Sequence, residues 1–454
     1  MRSKWWGGLA ALLCGAAAVL VAAQPAQAAT GFSVSGTTIV DANGKPFVMR
    51  GVNHAHTWYP SQLNSSLSGI KALGANTVRV VLASGQRWTK NEASDVTNVI
   101  SQCKANRLIC VLEVHDTTGY GEQAGAATLA QAVDYWISVK SALDGQESYV
   151  ILNIGNEPYG NGSAASNWTA DTKSAITRLR AAGFQHQIMV DAPNWGQDWQ
   201  FIMRDNAASV FAADPNRNTV FSIHMYGVFD TAAEINDYLG RFQTAGLPIV
   251  VGEFGFDHSD GNPDEDTILA TAQARGIGYL GWSWSGNGGG VEYLDMVTNF
   301  NASALTTWGQ RIFNGANGIK ATSVEASVFG GQQPSSPPPS SSSPSPSTSP
   351  SPSTPTGACT ATYTINNSWQ GGFQGTVTVK AGAAPISGWT VSWTWPNAQR
   401  FTNSWNATVT TSGETVTARN AAYNGSLAAG ATTSWGFTAS SGSANTPPSP
   451  INCV

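Results

Sequence analysis

Charge is scarce in this chain. Lys and Arg number 23 and Asp and Glu 28 among 454 residues, a net of −5, and the basic residues form no cluster. Without a basic patch there is nothing to neutralise phosphates or an anionic bilayer, so neither nucleic acid nor a membrane surface is expected as a partner. Long apolar runs are missing beyond Ala23, so no later segment can span a membrane. Cysteine is limited to five residues, with neither the paired C-x-x-C nor the His spacing that a structural zinc site requires. No glycine-rich phosphate loop follows the first strand-like run, and no Gly-x-Ser-x-Gly elbow lies at a suitable strand end. Those gaps count against a dinucleotide-binding open sheet and a serine hydrolase.

What the chain has in excess is tryptophan, 17 residues. A neutral, polar partner that offers flat faces to indole rings is a sugar. The start of the chain says where such a partner would be met. Met1-Arg2-Ser3-Lys4 gives a positive region, Trp5 to Ala23 an apolar stretch barely long enough to span a bilayer, and Ala26-Gln27-Ala28 a small-x-small cleavage site. Residues 1–28 therefore read as a secretory signal peptide, with the mature, extracellular protein starting near Ala29. Cys14 would leave with it. The remaining cysteines fall as Cys103 with Cys110 and Cys359 with Cys453, an even count that favours disulfides in an exported protein; whether Cys103 and Cys110 are bridged stays open.

Every residue from 334 to 356 is Pro, Ser or Thr, a composition that buries no core and stays extended. It reads as a stiff linker between a large domain, 30–320, and a smaller one, 358–454, each long enough for its own core. In the large domain, strand-like runs at 47–52, 77–82, 108–114, 149–154, 187–190, 220–224, 249–253 and 279–282 alternate with helical spacing at 63–73, 92–105, 128–143, 171–182, 231–245 and 264–274. Eight strands alternating with helices over this length predict a (β/α)8 barrel. Residues 32–40, followed by Asp41-Ala42-Asn43-Gly44, predict a hairpin that plugs its bottom.

Polar residues gather at one end of these strands: Asn53 and His54, Arg79, His115 and Asp116, Asn156 and Glu157, Trp195, His224 and Tyr226, Glu253, and Trp282 with Trp284. In a (β/α)8 barrel, the C-terminal strand edge is where chemistry is done. Arg79 inside Val78-Arg79-Val80 is costly to bury unless a carboxylate pairs with it. Glu157 and Glu253 each close an apolar strand, and two carboxylates facing each other across a barrel mouth are what glycosidic bond hydrolysis requires. A metallohydrolase drawing on His54, His115 and His224 is the rival reading; it leaves Glu157, Glu253 and Arg79 idle, and neither metal nor cofactor is expected.

Arg79, His115, Asn156-Glu157-Pro158, His224-x-Tyr226, Glu253 and Trp282, in this order over residues 30 to 320, resemble family 5 of the glycoside hydrolases. Within it, the runs Arg50 to Trp58, Leu112 to Asp116 and Gly281 to Asn287 most resemble bacterial endo-β-1,4-mannanases. The resemblance implies a retaining mechanism with Glu157 as acid/base and Glu253 as nucleophile, acting on a mannan-type polysaccharide. It implies substrate-binding or supporting roles for His54, Trp58, Arg79, His115, Asn156, Trp195, His224, Tyr226 and Trp282. The alternatives are an endo-β-1,4-glucanase on the same barrel and an inactive barrel serving a polysaccharide-binding cell-wall protein. A monomer is expected.

The last segment alternates with period two around 375–379 and 389–395, which predicts an antiparallel β-sandwich. Glu414 is its one carboxylate, so it is not expected to be catalytic. Trp389, Trp393 and Trp435 lie in alternating runs and read as core. Trp369, Trp405 and Tyr423 sit among polar and turn-forming residues, the wrong setting for a core. The segment resembles family 2 carbohydrate-binding modules, which implies that these three form a flat stacking face for an insoluble polysaccharide such as cellulose, chitin or mannan.

Overall fold

A computed structural model describes residues 31–330, 359–369, 371–405, 407–421, 424–441, 446–448 and 450–454, without the side chains of 366–369, 403 and 405. The expected signal peptide and linker lie outside the described residues. The chain divides into two units, on either side of Pro339.

The first unit opens with a hairpin of β1 (Ser33–Ser35) and β2 (Thr38–Val40). Eight parallel strands follow: β3 (Arg50–His54), β4 (Thr77–Leu82), β5 (Ile109–Val114), β6 (Val150–Asn153), β7 (Ile188–Asp191), β8 (Thr219–Met225), β9 (Ile249–Phe254) and β10 (Gly278–Gly281). They close as a barrel in chain order, β10 pairing with β3. All eight are the expected runs, each apolar enough to be buried on both faces. Helices follow the expected stretches; Thr307–Asn314 and Ile319–Thr322 follow β10, and a further one, Ile202–Ala213, joins β7 to β8. Its buried Met203, Ala207 and Val210 recur at helical spacing, a pattern present in the sequence although the expectation passed over it. The span 128–143 is broken at Val139 into Leu129–Ser138 and Lys140–Leu143.

The barrel is filled from below. Phe32 and Ile39 of the hairpin pack with Phe47, Met49, Ile109, Ile151, Val220 and Val250 at the N-terminal strand ends, so the hairpin is the expected plug. Packing runs past residue 320: Ala326 belongs to this same cluster, Asp41 accepts from the backbone and hydroxyl of Ser327, and Phe329 stacks near Tyr149. Side chains on the outer strand faces, such as Val78, Val80, Cys110 and Leu112, join the helices in a second cluster. Cys103 and Cys110 are bridged there.

One local irregularity decides the chemistry. Ile223 pairs with Val251, but His224 pairs with Glu253, so Gly252 is an extra residue on β9. Val251 and Phe254 both pack outward with the helices. The bulge switches the alternation between them and turns Glu253 into the barrel. A Cβ on Gly252 would lie 2.1 Å from Ser222 Oγ, so any larger residue would force the buried Ser222 side chain to shift.

The second unit is a sandwich of two four-stranded antiparallel sheets. One orders β11 (Cys359–Trp369), β12 (Gly372–Ala381), β17 (Thr432–Ser440) and β14 (Arg400–Trp405); the other orders β15 (Ala407–Ser412), β16 (Thr415–Asn420), β13 (Thr390–Thr394) and β18 (Asn452–Cys453). Trp389, Trp393 and Trp435 are buried between them as expected. A Cys359–Cys453 bridge ties strands from the two ends of the unit. The backbones of Trp369 and Trp405 end two strands of one sheet, but the side chains of both, and Tyr423 entirely, lie outside the described residues.

Candidate active site

The C-terminal strand ends converge on Arg79. Its guanidinium is fully buried and all five N–H donors are used: Nε to Asn153 at 2.9 Å, Nη1 to Asn53 at 2.9 Å and Glu253 Oε1 at 2.7 Å, Nη2 to Asn156 at 2.7 Å and Asp191 at 3.0 Å. Arginine is the residue whose rigid fork can hold five acceptors at once, here from four strands and the loop after one of them. The carboxylate that the sequence demanded for it is thus two hydrogen-bonded carboxylates, with Glu113 a third at 3.8 Å. Asp191 was missed because the strand-like run was read only to residue 190; one residue further, the signal was the same as at Glu157 and Glu253, an apolar strand closed by an acid.

Glu253 receives Arg79 on one oxygen and the Tyr226 hydroxyl on the other at 3.0 Å. His224 spans the acids: Nδ1 is 2.9 Å from Glu157 Oε1 and 3.6 Å from Glu253, and Nε2 is 3.2 Å from Asp191. Burial disfavours a charged ring, but Glu253, Asp191 and Glu157 outweigh it and push His224 up to about 10. Burial likewise works against an ionised Asp191, yet Arg79 and His224 hold it near 2. Glu253 is raised by burial, with His224 and Arg79 pulling against that rise. Tyr226 is raised by burial and by Glu253, so it remains a donor. An oxygen of Glu157 and one of Glu253 lie within 4.8 Å of each other.

Glu157, His224 and Glu253 are close enough to share a cation. A ligand imidazole must be neutral, however, and His224 is held protonated with a carboxylate on either nitrogen. A cation there would have to displace the proton that the surrounding carboxylates hold on His224, which counts against a metal.

Around these acids, Glu157 takes a left-handed backbone, φ 40°, of the kind that concentrates at functional sites. Asn156 is used by Arg79 and donates to Thr118 Oγ1 at 2.8 Å, leaving one amide N–H for substrate. Glu113 holds His115 Nδ1 at 2.8 Å; His115 stacks on Trp282 and meets Trp58 and Trp88 edge-on or tilted. Trp88 was missed in the sequence because it sits in a loop, where Asp116 fixes it by accepting the N–H groups of Ser84 and Arg87. Trp195 borders a hollow of about 280 Å³ with Glu157, Tyr226, Trp199 and His258, and its indole N–H donates to Glu122. His258 stacks on Tyr226 at 4.4 Å; it too was missed, lying in a loop without periodicity.

His54 departs from expectation. It shares the outward face of β3 with Val52, is fully buried, and neither ring nitrogen has a hydrogen-bond partner. Burial lowers it to about 3, with His56 adding to the effect. A neutral ring behind the strand does not reach a polysaccharide; the alternation of β3 brings Asn53 inward instead.

These charges set a pH dependence of stability. His224 rises from an ordinary 6.5 to about 10 on folding, so its contribution is complete below about 6.5 and lost as pH climbs through 10. Asp191 falls from 3.8 to about 2, so its contribution is complete above about 3.8 and lost as pH drops through 2. The melting midpoint of the barrel is expected to fall from pH 7 to 10, and His224→Gln to flatten that slope. An unchanged slope in the variant would mean that His224 is neutral.

Residues 40–288 match the family described as Cellulase (glycosyl hydrolase family 5), and residues 359–453 match Cellulose binding domain. A mannan endo-1,4-beta-mannosidase of Streptomyces lividans is 66% identical over 311 residues, which are 68% of this chain and 80% of that one. The beta-mannanase of Thermomonospora fusca superposes with a TM-score of 0.65 at 64% identity, over 66% of this chain and all of that one. A mannohexaose complex of the Thermomonospora fusca enzyme aligns with the same TM-score at 62% identity.

Proposed function

This chain belongs to glycosyl hydrolase family 5, and from that premise we propose that it is a secreted, retaining endo-β-1,4-mannanase with a tethered polysaccharide-binding module. The observation that carries the mechanism is the carboxylate pair, Glu157 and Glu253, with oxygens within 4.8 Å. That spacing leaves no room for a water between Glu253 and the sugar, as inversion needs, and suits direct attack, for which carboxyl groups stand about 5 to 5.5 Å apart.

Glu253 attacks the anomeric carbon while Glu157 gives its proton to the glycosidic oxygen, and the leaving chain departs. The glycosyl ester cancels the charge of Glu253, which removes the repulsion against ionised Glu157. Glu157 then takes a proton from the incoming water, whose oxygen displaces Glu253. Arg79 and Tyr226 hold the two oxygens of Glu253 in place, and protonated His224 steadies both acids. Asn156 offers its remaining N–H to the sugar, and Trp282 with Trp58 gives rings to stack on. The mannan preference is supported by identity to mannosidases across the barrel. An assay on soluble mannan beside carboxymethylcellulose tests it: mannan is expected to be the better substrate by kcat/KM, and the reverse would make the protein a glucanase.

In the second unit, Trp369, Trp405 and Tyr423 form the proposed stacking platform. A Pro/Ser/Thr linker transmits no packing, so ending the chain after Gly331 is expected to leave hydrolysis of soluble mannan near the full-length rate. Action on insoluble polysaccharide is expected to drop, because the module raises local concentration at a surface. Trp369→Ala with Trp405→Ala is expected to reproduce that selective loss and abolish sedimentation with microcrystalline cellulose. Unaltered sedimentation would remove the platform assignment.

A further inference from the structure

Tyr226 holds the nucleophile from a ring that is itself covered. Its hydroxyl donates to Glu253 Oε2 at 3.0 Å, and the imidazole of His258 lies against its face, with ring centroids 4.4 Å and planes 29° apart. His258 comes from the loop after β9, and that loop is fastened to the segment that carries Tyr226. Asp260 Oδ1 accepts the N–H of Gly227 at 3.1 Å, while its Oδ2 accepts Gln197 Nε2 at 2.7 Å. The approach is close, for a Cβ on Gly227 would lie 2.5 Å from the Asp260 carbonyl oxygen. The stack is therefore set by the backbone on both sides of it.

The same carboxylate sets the charge of the ring, because Asp260 Oδ1 also meets His258 Nδ1. Burial works against a charged imidazole, but Asp260, Glu157 and Glu253 outweigh it and raise His258 above its ordinary 6.5. Asp260 moves the other way: burial raises it, and His258, Gln197 and the Gly227 N–H together bring it below 3.8. The titratable groups around His258 are thus Asp260 on its own loop, Tyr226 beyond β8, Glu157 beyond β6 and Glu253 on β9. An imidazolium on a phenol face is attracted to the ring's electron density, and by drawing on that density it makes the hydroxyl a stronger donor. The acceptor of that hydroxyl is the nucleophile. A stronger donor favours ionised Glu253, both before attack and when water releases it from the sugar.

We propose that His258 is a positioning residue for the reaction, a cation held by Asp260 on the face of Tyr226 that acts on Glu253 through the phenol hydroxyl and does not touch the sugar. This rests on the retaining reading above and deepens it, adding to the grip of Arg79 a second cation that works through an intervening ring.

The test uses the full-length protein and an aryl β-mannobioside with a good leaving group, whose first step needs Glu253 ionised but no proton from Glu157. His258→Phe keeps a ring on Tyr226 and removes the charge; His258→Gln keeps a hydrogen bond to Asp260 and removes the charge. Both are expected to move the acidic limb of the kcat/KM profile, which reports the free enzyme, to higher pH. On that limb the loss is expected to be roughly threefold to tenfold, the size of a half-exposed cation–π contact, and to shrink as the pH rises. KM for soluble mannan is expected to stay at the parent value. A limb at the parent position in either variant overturns the inference, because packing or the hydrogen bond alone would then suffice. A raised KM with the limb in place overturns it too, since His258 would then be touching the sugar. Failure of the retaining reading has a different signature: the parent itself would release α-anomers first, which overturns both, whereas β-anomers with an unmoved limb overturn this inference alone.

Discussion

Glu253→Ala is expected to stop turnover of every substrate, a loss on the order of 10⁶-fold of the kind that follows removal of a covalent nucleophile. Glu157→Ala is expected to behave differently. General acid assistance is worth about 10² to 10⁴-fold, and that loss should fall on mannan, whose leaving sugar needs a proton. Aryl mannosides with good leaving groups need none, so the first step should remain fast on them and the glycosyl-enzyme should accumulate. The asymmetry follows from placement. Glu253 is buried and gripped through both oxygens by Arg79 and Tyr226, a group fixed to attack one point. Glu157, partly exposed beside His224, borders the hollow lined by Trp195 and Trp199. Burst kinetics on an aryl mannoside check it, and equal residual activity of the two variants on that substrate would reverse or dissolve the assignment.

Arg79→Ala is expected to cost about 3 to 5 kcal/mol of stability, because it leaves Asp191 and Glu253 buried without their cation. It is also expected to move the acidic limb of the pH–rate profile upward. Burial already raises Glu253 and Arg79 works against that rise, so without the guanidinium the nucleophile holds its proton to higher pH. Arg79→Lys separates the two roles: the ammonium keeps the charge but cannot meet five acceptors, so stability should fall with a smaller shift of the limb. A limb that stays put in Arg79→Ala while the melting midpoint collapses would make Arg79 purely structural.

Much of this site was legible because barrel strands alternate so plainly with helices. Runs such as Val78 to Leu82 or Val250 to Glu253 are apolar for want of any exposed face, so each polar residue near their ends stands out. What stayed hidden obeys other rules. Asp191 fell one residue beyond where its strand was read to end. His54 was placed in the site because it lies at a C-terminal strand end, although strand alternation sends it to the face opposite Asn53. Glu253 is the reverse case: simple alternation from Val250 would have pointed it outward, and only the bulge at Gly252, a pairing feature invisible in one sequence, turns it in. Trp88, Trp199 and His258 sit in loops shaped by single carboxylates, Asp116 from far along the chain and Asp198 and Asp260 from one or two residues away, and such loops carry no periodicity to announce them.

The central claim, double displacement at the Glu157 and Glu253 pair on a mannan chain, is tested most directly by proton NMR of mannohexaose during its first minutes with the full-length protein. The newly formed reducing ends are expected to be β-anomers, turning to the equilibrium mixture only later by mutarotation. Newly formed α-anomers at the outset would mean a single displacement and would contradict the roles given to both carboxylates.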